Sequence, residues 1–264
     1  MKVQAITQGS PLGIMAAMPE EIDALLGDLT ERSTTTRAGR QFHSGLLHGR
    51  RVVVVFSRWG KVAAASTTTE LILDYGVGSI VFFGIAGGIA SGEGGVRRGD
   101  VVVASGLVQH DLDASPFFAP THVPMLGECL MPADQAMAAS LFAAAGEYLA
   151  NDLSHAPTEL LRRAEIQSPG VHIGVIASGD QVIFSDEARE RVRERVPGAL
   201  CVEMEGAAAG QVCFEHGVPF ACVRTVSDTA DDRGTEHVQP FLEGLAGVYT
   251  RGIAARWLQA SSGA

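Results

Sequence analysis

The chain of 264 residues is short of basic residues and of long apolar runs. Its 20 Lys and Arg face 30 Asp and Glu, and the net charge of -10 argues against general binding to nucleic acid or to an anionic membrane. No uninterrupted apolar segment is long enough to predict a membrane span. Residues 1–10 lack the basic-then-apolar pattern of a signal peptide. We therefore expect no nucleic-acid and no membrane partner.

Cysteine is scarce, and its spacing argues against two kinds of structural frame. The four cysteines are Cys129, Cys201, Cys213 and Cys222; none are in CxxC spacing, and three lie in apolar runs. This pattern predicts reduced core residues of a cytoplasmic protein, rather than a disulfide framework or a zinc site.

Several familiar ligand-binding motifs are also missing. The GIAGG segment at residues 84–88 does not match GxGxxG, and neither a P-loop nor a GxSxG nucleophile elbow occurs. His110, Asp111 and Asp113 resemble a metal cluster, but residues 110 and 111 would point to opposite faces of a strand, so we favour hydrogen bonding within a loop. Lys61, at a predicted helix start, is interpreted as a solvated lysine rather than a phosphate ligand.

Predicted strands and helices alternate along the chain, which favours an α/β architecture. The predicted strands are 12–17, 51–57, 79–83, 100–105, 171–177, 199–202 and 219–226. The first predicted helix begins at Pro19, and the others span residues 62–73, 134–150, 185–195, 205–216 and 238–258. Residues 84–88 are predicted to form a turn, and the proline-containing residues 115–133 a long loop. Without a repeat or a shift in composition, we expect one domain over 1–264, frayed at 1–10 and 259–264.

Two carboxylates stand where a predicted buried strand passes into a predicted buried helix. In CVEMEGAAAG, residues 201–210, an apolar run leads into Glu203, Met204 and Glu205. Burying a charge is costly unless it is paired or hydrogen-bonded, so the segment indicates a site for a ligand with hydroxyl groups or positive charge. A solvated helix start, where acidic residues favour the helix dipole, is the alternative interpretation.

Three further clusters follow predicted strands: Glu20 with Glu21, residues 84–88, and Arg224 to Asp228 in VRTVSDTAD. Ligands of open α/β sheets bind beyond the carboxyl ends of strands, so these clusters are predicted to converge on one pocket. Asp228 is a candidate general acid or a partner for a heterocycle nitrogen; the alternative is a cap on a helix or turn. Glu21 is a candidate for activating water, although acidic residues are common in a first helical turn.

Seven segments, in order over roughly residues 12–230, resemble the 5′-methylthioadenosine/S-adenosylhomocysteine nucleosidase family. They are GIMAAMPEEI, WGKVAAA, GIAGG, GDVVVASGLVQHDLD, ASGDQVI, VEMEGAAA and VRTVSDTAD. The resemblance implies the nucleoside phosphorylase fold, a three-layer αβα sandwich with a mixed central sheet, in a homodimer. It also implies hydrolysis of an adenine–ribose bond of a small nucleoside, with neither a metal nor an organic cofactor.

The resemblance also implies roles for individual residues. Glu21 would activate water, and Asp228 would protonate adenine at N7. Arg224 and Ser227 would orient the carboxylates and the water.

Substrate contacts are implied by the same resemblance. Met204 and Glu205 would bind ribose, with Glu205 accepting from sugar hydroxyls, and Ile183 would offer backbone hydrogen bonds to adenine. Phe117 would approach the 5′ substituent from a loop that reaches across a dimer interface. The remaining expected lining residues are Ile85, Ala86, Gly87, Val182 and Glu203.

Two positions depart from the family pattern. Ile85 stands where the family often has Ser or Thr, and Val182 where many members have a Phe that stacks on the base. Phe184 is a substitute ring, although strand geometry would point it elsewhere.

Two other functions remain open at this level: a phosphorylase of the same fold, and a nucleoside-binding protein without catalysis. The preferred 5′ group is also open, whether methylthio, homocysteinyl or a futalosine side chain. Residues 115–129 are expected to decide it.

Overall fold

The computed structural model describes residues 9–90, 95–231 and 234–262. Its strands are β1 (Leu12–Ala16), β2 (Thr30–Arg37), β3 (Arg40–Leu47), β4 (Arg50–Phe56), β5 (Ser79–Gly88), β6 (Val101–Gln109), β7 (Leu130–Pro132), β8 (Val171–Ser178), β9 (Ala199–Glu203) and β10 (Phe220–Asp228). Its α-helices are α1 (Pro19–Leu26), α2 (Lys61–Leu73), α3 (Gln135–Asn151), α4 (Thr158–Arg163), α5 (Asp186–Arg195), α6 (Gly206–His216), α7 (Gly234–Phe241) and α8 (Gly247–Ser262). A 3-10 turn covers Leu153–His155, and a π-helical segment, Leu242–Ala246, joins α7 to α8. No helix in these ranges is long and apolar enough to span a membrane.

The strands form one mixed sheet in the order β10-β6-β8-β9-β5-β1-β4-β3-β2, with β7 beside β6. A further pairing of β10 with β5 closes five of these strands, β5, β9, β8, β6 and β10, into a ring. Strand β5 runs parallel to both β1 and β10, and its last residues pair antiparallel with β9. This closure brings the carboxyl ends of β5, β9 and β10 to one place.

Apolar side chains cover both faces of the sheet, which explains why its strands read as nearly continuous hydrophobic runs. Leu12 and Ile14 of β1 pack in a cluster with residues of α1, α3 and α8. Met15, the residue after Ile14, belongs to a second cluster with residues of α2 and α6. Helices therefore bury opposite faces of β1.

Local side-chain chemistry starts two helices where the sequence predicts it. The side chain of Asp134 accepts a hydrogen bond from the N–H of Met137, and Ser185 accepts one from the N–H of Ala188. Both contacts satisfy a donor that a helix amino terminus leaves unpaired.

Four sequence-based predictions need correction. Residues 84–88 are not a turn but the end of β5, where glycines lie within a buried ladder. The predicted loop 115–133 contains β7, and the last helical stretch begins at Gly234 rather than at residue 238. Residues 259–262 are helical; 1–8 and 263–264, also expected to fray, lie outside the described residues.

The β2–β3 hairpin was not predicted at all. Every residue of β2 is exposed, so its sequence TERSTTTR carries no alternation between apolar and polar positions. Only pairing with β3 reveals it as a strand.

Candidate active site

The polar clusters that follow the strands meet at one cavity of about 290 Å³. Its lining includes Ala17, Met18, Glu21, Trp59, Ile85, Ala86, Gly87, Gln181, Val182, Ile183, Phe184, Val202, Glu203, Met204, Glu205, Ser227, Asp228, Val238, Gln239 and Leu242. We call the buried charged groups the floor: Glu21, Glu203, Glu205, Asp228 and Arg224, which lies behind Glu203. We call Trp59, Val182 and Phe184 the rim.

Glu21 lies in the first turn of α1 and is buried. Its Oε2 accepts hydrogen bonds from the N–H groups of Ala17 (2.8 Å) and Met18 (2.9 Å), and its Oε1 accepts one from the N–H of Ile85 (2.9 Å). Burial raises the pKa of Glu21, whereas Arg224 and these N–H groups act in the opposite direction. The carboxylate thus belongs both to a helix start and to the cavity, and its raised pKa makes it a better proton acceptor.

Glu203 ends β9, and its carboxylate is fully engaged by the protein. Arg224 of β10 donates to its Oε2 through Nη2 (2.5 Å) and Nε (3.2 Å). The N–H of Glu205 (3.1 Å) and that of Gly206 (2.8 Å) donate to the same oxygen, and the Ser178 hydroxyl donates to Oε1. Such pairing is what a buried ion pair requires, and it leaves Glu203 to hold the floor in place.

Glu205 lies at the position that precedes α6 and is also buried. Within the described residues, its carboxylate receives one hydrogen bond, from the N–H of Gly60 (2.8 Å). Burial, then Glu203, raises the pKa of Glu205 to about 8, while Arg224 and the Gly60 N–H act to lower it. This group therefore retains acceptor capacity for a ligand hydroxyl, and Met204 lines the cavity beside it.

Asp228 ends β10 and is 3% exposed. The Ser227 hydroxyl donates to its Oδ2 (2.7 Å), and the N–H of Ala230 donates to its Oδ1 (2.8 Å). The Ala230 contact is the turn cap that the sequence offers as the alternative role. Asp228 serves as that cap and lines the cavity as well.

Two glycines of β5 make room for these side chains. A Cβ added to Gly84 would lie 2.8 Å from both Arg224 Nη1 and Glu21 Oε1. One added to Gly87 would lie 3.1 Å from Asp228 Oδ1. The close backbone approach expected of a glycine-rich segment is present, but here it accommodates the protein's own charged groups.

The rim is apolar and partly open to solvent. Trp59 is 60% exposed and Val182 is 53% exposed, while Ile183 beside it is buried. The expectation that Phe184 points elsewhere is wrong, because it lines the same cavity. Residues 181–184 have irregular backbone, so the alternation of side chains along a strand does not apply to them.

Sequence reasoning missed several lining residues, among them Trp59 and three residues of the last helical stretch. Trp59 stands in the WGKVAAA segment, where a large aromatic residue before Gly60 is a signal that was available. Val238, Gln239 and Leu242 come from the last helical stretch, whose sequence carries no sign of a site.

The structure also places three other residues that the sequence singled out. Phe117 is 87% exposed and does not line the cavity of its own chain, so its predicted approach to the 5′ substituent across a dimer interface stays a prediction. Lys61 is not a solvated lysine, since its Nζ donates to Asp111 (2.7 Å) and Gln109 (3.2 Å) and its side chain is 17% exposed. Asp111 accepts hydrogen bonds from Lys61 Nζ and from the N–H of Asp180 (2.8 Å), the role that was favoured from the sequence.

Comparison with known proteins identifies the family. A model of the phosphorylase superfamily matches residues 11–248. A 5′-methylthioadenosine/S-adenosylhomocysteine nucleosidase of Chromohalobacter salexigens is 36% identical over 236 residues, covering 89% of this chain and 91% of that protein. An aminodeoxyfutalosine nucleosidase of Helicobacter pylori is 34% identical over 233 residues, with 88% and 91% covered.

A solved structure extends the likeness to the fold. The 5′-methylthioadenosine/S-adenosylhomocysteine nucleosidase of Colwellia psychrerythraea, in complex with adenine, superimposes with a TM-score of 0.79 at 31% identity, covering 95% of each chain. The α/β fold with its mixed sheet is therefore that of the nucleoside phosphorylases. By both sequence and structure, the chain belongs to the 5′-methylthioadenosine/S-adenosylhomocysteine nucleosidase family of the phosphorylase superfamily.

Proposed function

We propose that this protein hydrolyses the N-glycosidic bond of a 5′-substituted adenosine, such as 5′-methylthioadenosine or S-adenosylhomocysteine, and releases adenine. The observation that carries the proposal is that Glu21, Glu205 and Asp228, from distant parts of the chain, line one cavity. The nucleosidase names of its relatives support the same reaction.

Asp228 is proposed as the general acid. When the bond between C1′ and the base breaks, its electron pair leaves with adenine, and a proton delivered to N7 makes adenine a better leaving group. Ser227 and the N–H of Ala230 fix the orientation of the Asp228 carboxyl group. A positioned acid of this kind contributes about 10²–10⁴-fold to the rate.

Glu21 is proposed as the group that activates water. It would take one proton as the water oxygen attacks C1′, giving the 5-substituted ribose. Its burial and raised pKa suit it to accept that proton. The negative floor also favours positive charge that develops on the sugar during cleavage.

Glu205 and Met204 are proposed to bind ribose, and Ile183 to offer backbone groups to adenine. The open acceptor capacity of Glu205 fits sugar hydroxyls, which are donors. Where the family often has a Ser or Thr hydroxyl, Ile85 contributes its backbone N–H, which donates a hydrogen bond to Glu21. Val182 lies at the rim with Phe184, and we propose that the Phe184 ring packs against the base.

Phosphorolysis is the second candidate, because the matching superfamily bears that name. It requires an anion where the water would stand. The floor offers four carboxylates, and its guanidinium, Arg224, is engaged with Glu203. Phosphate would be repelled there, so hydrolysis is favoured.

Adenine release from 5′-methylthioadenosine by the purified chain tests the proposal. We expect turnover in phosphate-free buffer, with methylthioribose as the second product. Turnover that depends strictly on phosphate and yields methylthioribose 1-phosphate would establish phosphorolysis instead. Binding without any release of adenine would identify a nucleoside-binding protein.

We further infer a single domain over 1–264 in a three-layer αβα sandwich, acting as a homodimer in the cytoplasm. Helices on opposite faces of β1 support the layers. The exposed side chains of Phe117 (87%) and Met125 (93%), in the loop expected to select the 5′ group, support a covered face. Sedimentation of the wild type and of Phe117→Glu tests this inference; a monomeric wild type contradicts it.

A further inference from the structure

Three polar residues outside the cavity form a closed set of contacts through side chains and backbone N–H groups. The Lys61 ammonium donates to Asp111 Oδ1 (2.7 Å), and the Lys61 N–H donates to Asp180 Oδ1 (2.8 Å). The N–H of Asp180 donates in turn to Asp111 Oδ2 (2.8 Å). Lys61, Asp111 and Asp180 thus form a triangle in which each residue contacts the other two. We call it the Lys61 triangle.

One corner of the Lys61 triangle adjoins the proposed ribose carboxylate. Gly60 precedes Lys61, and its N–H is the donor to Glu205. Its φ of +90° favours glycine, and an added Cβ would lie 2.9 Å from Asp180 Oδ1. Asp180 therefore packs against the residue that holds Glu205.

Another corner adjoins the rim. Asp180 is followed directly by residues 181–184, all of which line the cavity. The N–H that Asp180 donates to Asp111 lies on the Gly179–Asp180 peptide bond, one residue before this segment. The segment has irregular backbone, so such contacts at its start restrict where it lies.

A further contact ties the Lys61 triangle to α6. Lys61 Nζ also donates to Gln109 Oε1 (3.2 Å), and Gln109 Nε2 donates to Gln211 Oε1 (2.7 Å) of α6. Glu205 stands at the start of that helix. The same lysine is therefore connected to Glu205 through its own backbone neighbour and through α6.

We propose that the Lys61 triangle positions two groups that meet the bound nucleoside. One is the Gly60 N–H, which donates to Glu205, and the other is the loop 181–184. Asp180 is the central positioning residue of the triangle, although it does not line the cavity. The inference rests on the proposed function, since it assumes that Glu205 binds ribose hydroxyls and that loop 181–184 faces the base.

Such positioning affects the rate because hydrogen bonds to a reacting ligand are effective only within a narrow range of geometry. A misplacement of about 1 Å, even one that originates far from the chemistry, costs about 10²-fold in rate. Lys61 and Asp111 have side chains that are 17% and 18% exposed, so their attraction is screened less than that of a fully exposed pair.

The decisive test is whether Asp180→Ala weakens recognition of the ribose hydroxyls. We expect kcat/KM for 5′-methylthioadenosine to fall about 10- to 100-fold. We also expect the preference for this substrate over its 2′,3′-dideoxy analogue to fall about 10-fold relative to wild type, because Glu205 loses its placement. Asp180→Asn retains a side-chain oxygen that accepts from the Lys61 N–H and is expected to restore that preference.

A loss of activity in Asp180→Ala with the hydroxyl preference unchanged would overturn the inference, because that result indicates general damage. So would full activity. Should Asp180→Ala fail to fold, Lys61→Met carries the same test: it removes the contacts of the ammonium with Asp111 and Gln109, and it keeps the contact of Asp180 with the Lys61 backbone.

Asp152→Ala is the matched control. Asp152 also joins two distant elements, through two contacts with Arg256 (2.6 and 2.7 Å), but it lies away from the cavity lining. We expect its hydroxyl preference to match the wild type. If wild-type protein releases no adenine, the proposed function fails; if only the Asp180→Ala preference is unaltered, the Lys61 triangle fails.

Discussion

The floor and the rim of the cavity are built by opposite means. On the floor, Glu203 accepts hydrogen bonds from two side chains and two backbone groups, and Glu21 accepts three from the backbone. On the rim, Trp59 and Val182 remain more than half exposed.

This difference corresponds to two separate properties of an enzyme: the reaction that it catalyses and the ligands that it selects. Groups whose every contact is fixed by the fold have little freedom to adapt, which suits electrostatic stabilisation of one reaction. Exposed apolar side chains gain burial only when a ligand covers them, which suits selection among ligands. We therefore expect the floor to carry the reaction, and Trp59 of the rim to contribute, together with residues 115–129, to the choice of 5′ group.

The largest expected effect is at the proposed acid. Asp228→Asn keeps the shape of the side chain and removes the proton that it would donate, so kcat for adenine release should fall about 10²–10⁴-fold. Asp28→Asn is the control and should retain full activity, because Asp28 is a half-buried carboxylate paired with Arg251 outside the cavity lining. Wild-type kcat in Asp228→Asn would remove the central catalytic assignment of the floor.

Next in size is the loss of the floor's guanidinium. Arg224→Met leaves Glu203 buried without its charge partner, which should reduce the free energy of unfolding by about 3–5 kcal/mol. Arg251→Met breaks an exposed pair and should cost about 0–1 kcal/mol. Urea denaturation measures both. Equal losses of unfolding free energy in the two variants would show that the Arg224–Glu203 pair stabilises the protein no more than the Arg251–Asp28 pair does.

An effect of comparable size concerns pH. The folded protein holds a proton on Glu205 up to about pH 8, whereas an unfolded glutamate releases it near 4.5. Between those values the folded state binds more protons, so stability should fall as pH rises, by up to ~1.4 kcal/mol per pH unit from one group.

Glu205→Gln should flatten that decline, and thermal melting between pH 5 and 8 measures it. The exposed Glu159→Gln is the control, because the Glu159 pKa lies below its ordinary value owing to the Arg162 side chain. A wild-type curve that rises with pH across this range would contradict the buried, proton-binding character of Glu205.

The sequence predicts the local parts of this architecture and misses the long-range ones. The caps at Asp134 and Ser185 and the carboxylates at strand ends follow from chemistry within a few residues. The β2 strand is exposed throughout, and the pairing of β10 with β5 joins segments more than a hundred residues apart. Neither leaves a periodic pattern to read.

The same limit applies within the site. Glu21, Glu205 and Asp228 could be named because each follows an apolar run. The role of Lys61 depends on Asp111 and Asp180, which adjoin it only in the folded chain. Leu242 reaches the cavity from a helical stretch with no polar marker, so its contribution required the structure.

The smallest effect expected is at the rim, where Trp59 offers a separate optical signal. The chain has two tryptophans; Trp59 is 60% exposed, whereas Trp257 is 4% exposed and donates to Ser140. A 5′ substituent that covers Trp59 should change its fluorescence, and Trp59→Phe should abolish that change. Trp59→Ala should lower kcat/KM about 3- to 10-fold for a bulky 5′-arylthio substrate, because apolar contact is worth about 1–3 kcal/mol when fully formed.

Adenosine, whose 5′ hydroxyl covers little of the indole, should lose less than about twofold in kcat/KM in Trp59→Ala. Phe214→Ala removes an apolar side chain of comparable exposure (42%) that does not line the cavity, and it should alter neither substrate. If Trp59→Ala slows both substrates equally, Trp59 supports the floor rather than choosing among 5′ groups. The residues that select the 5′ group would then lie elsewhere in the cavity, because the indole would affect a step that all substrates share.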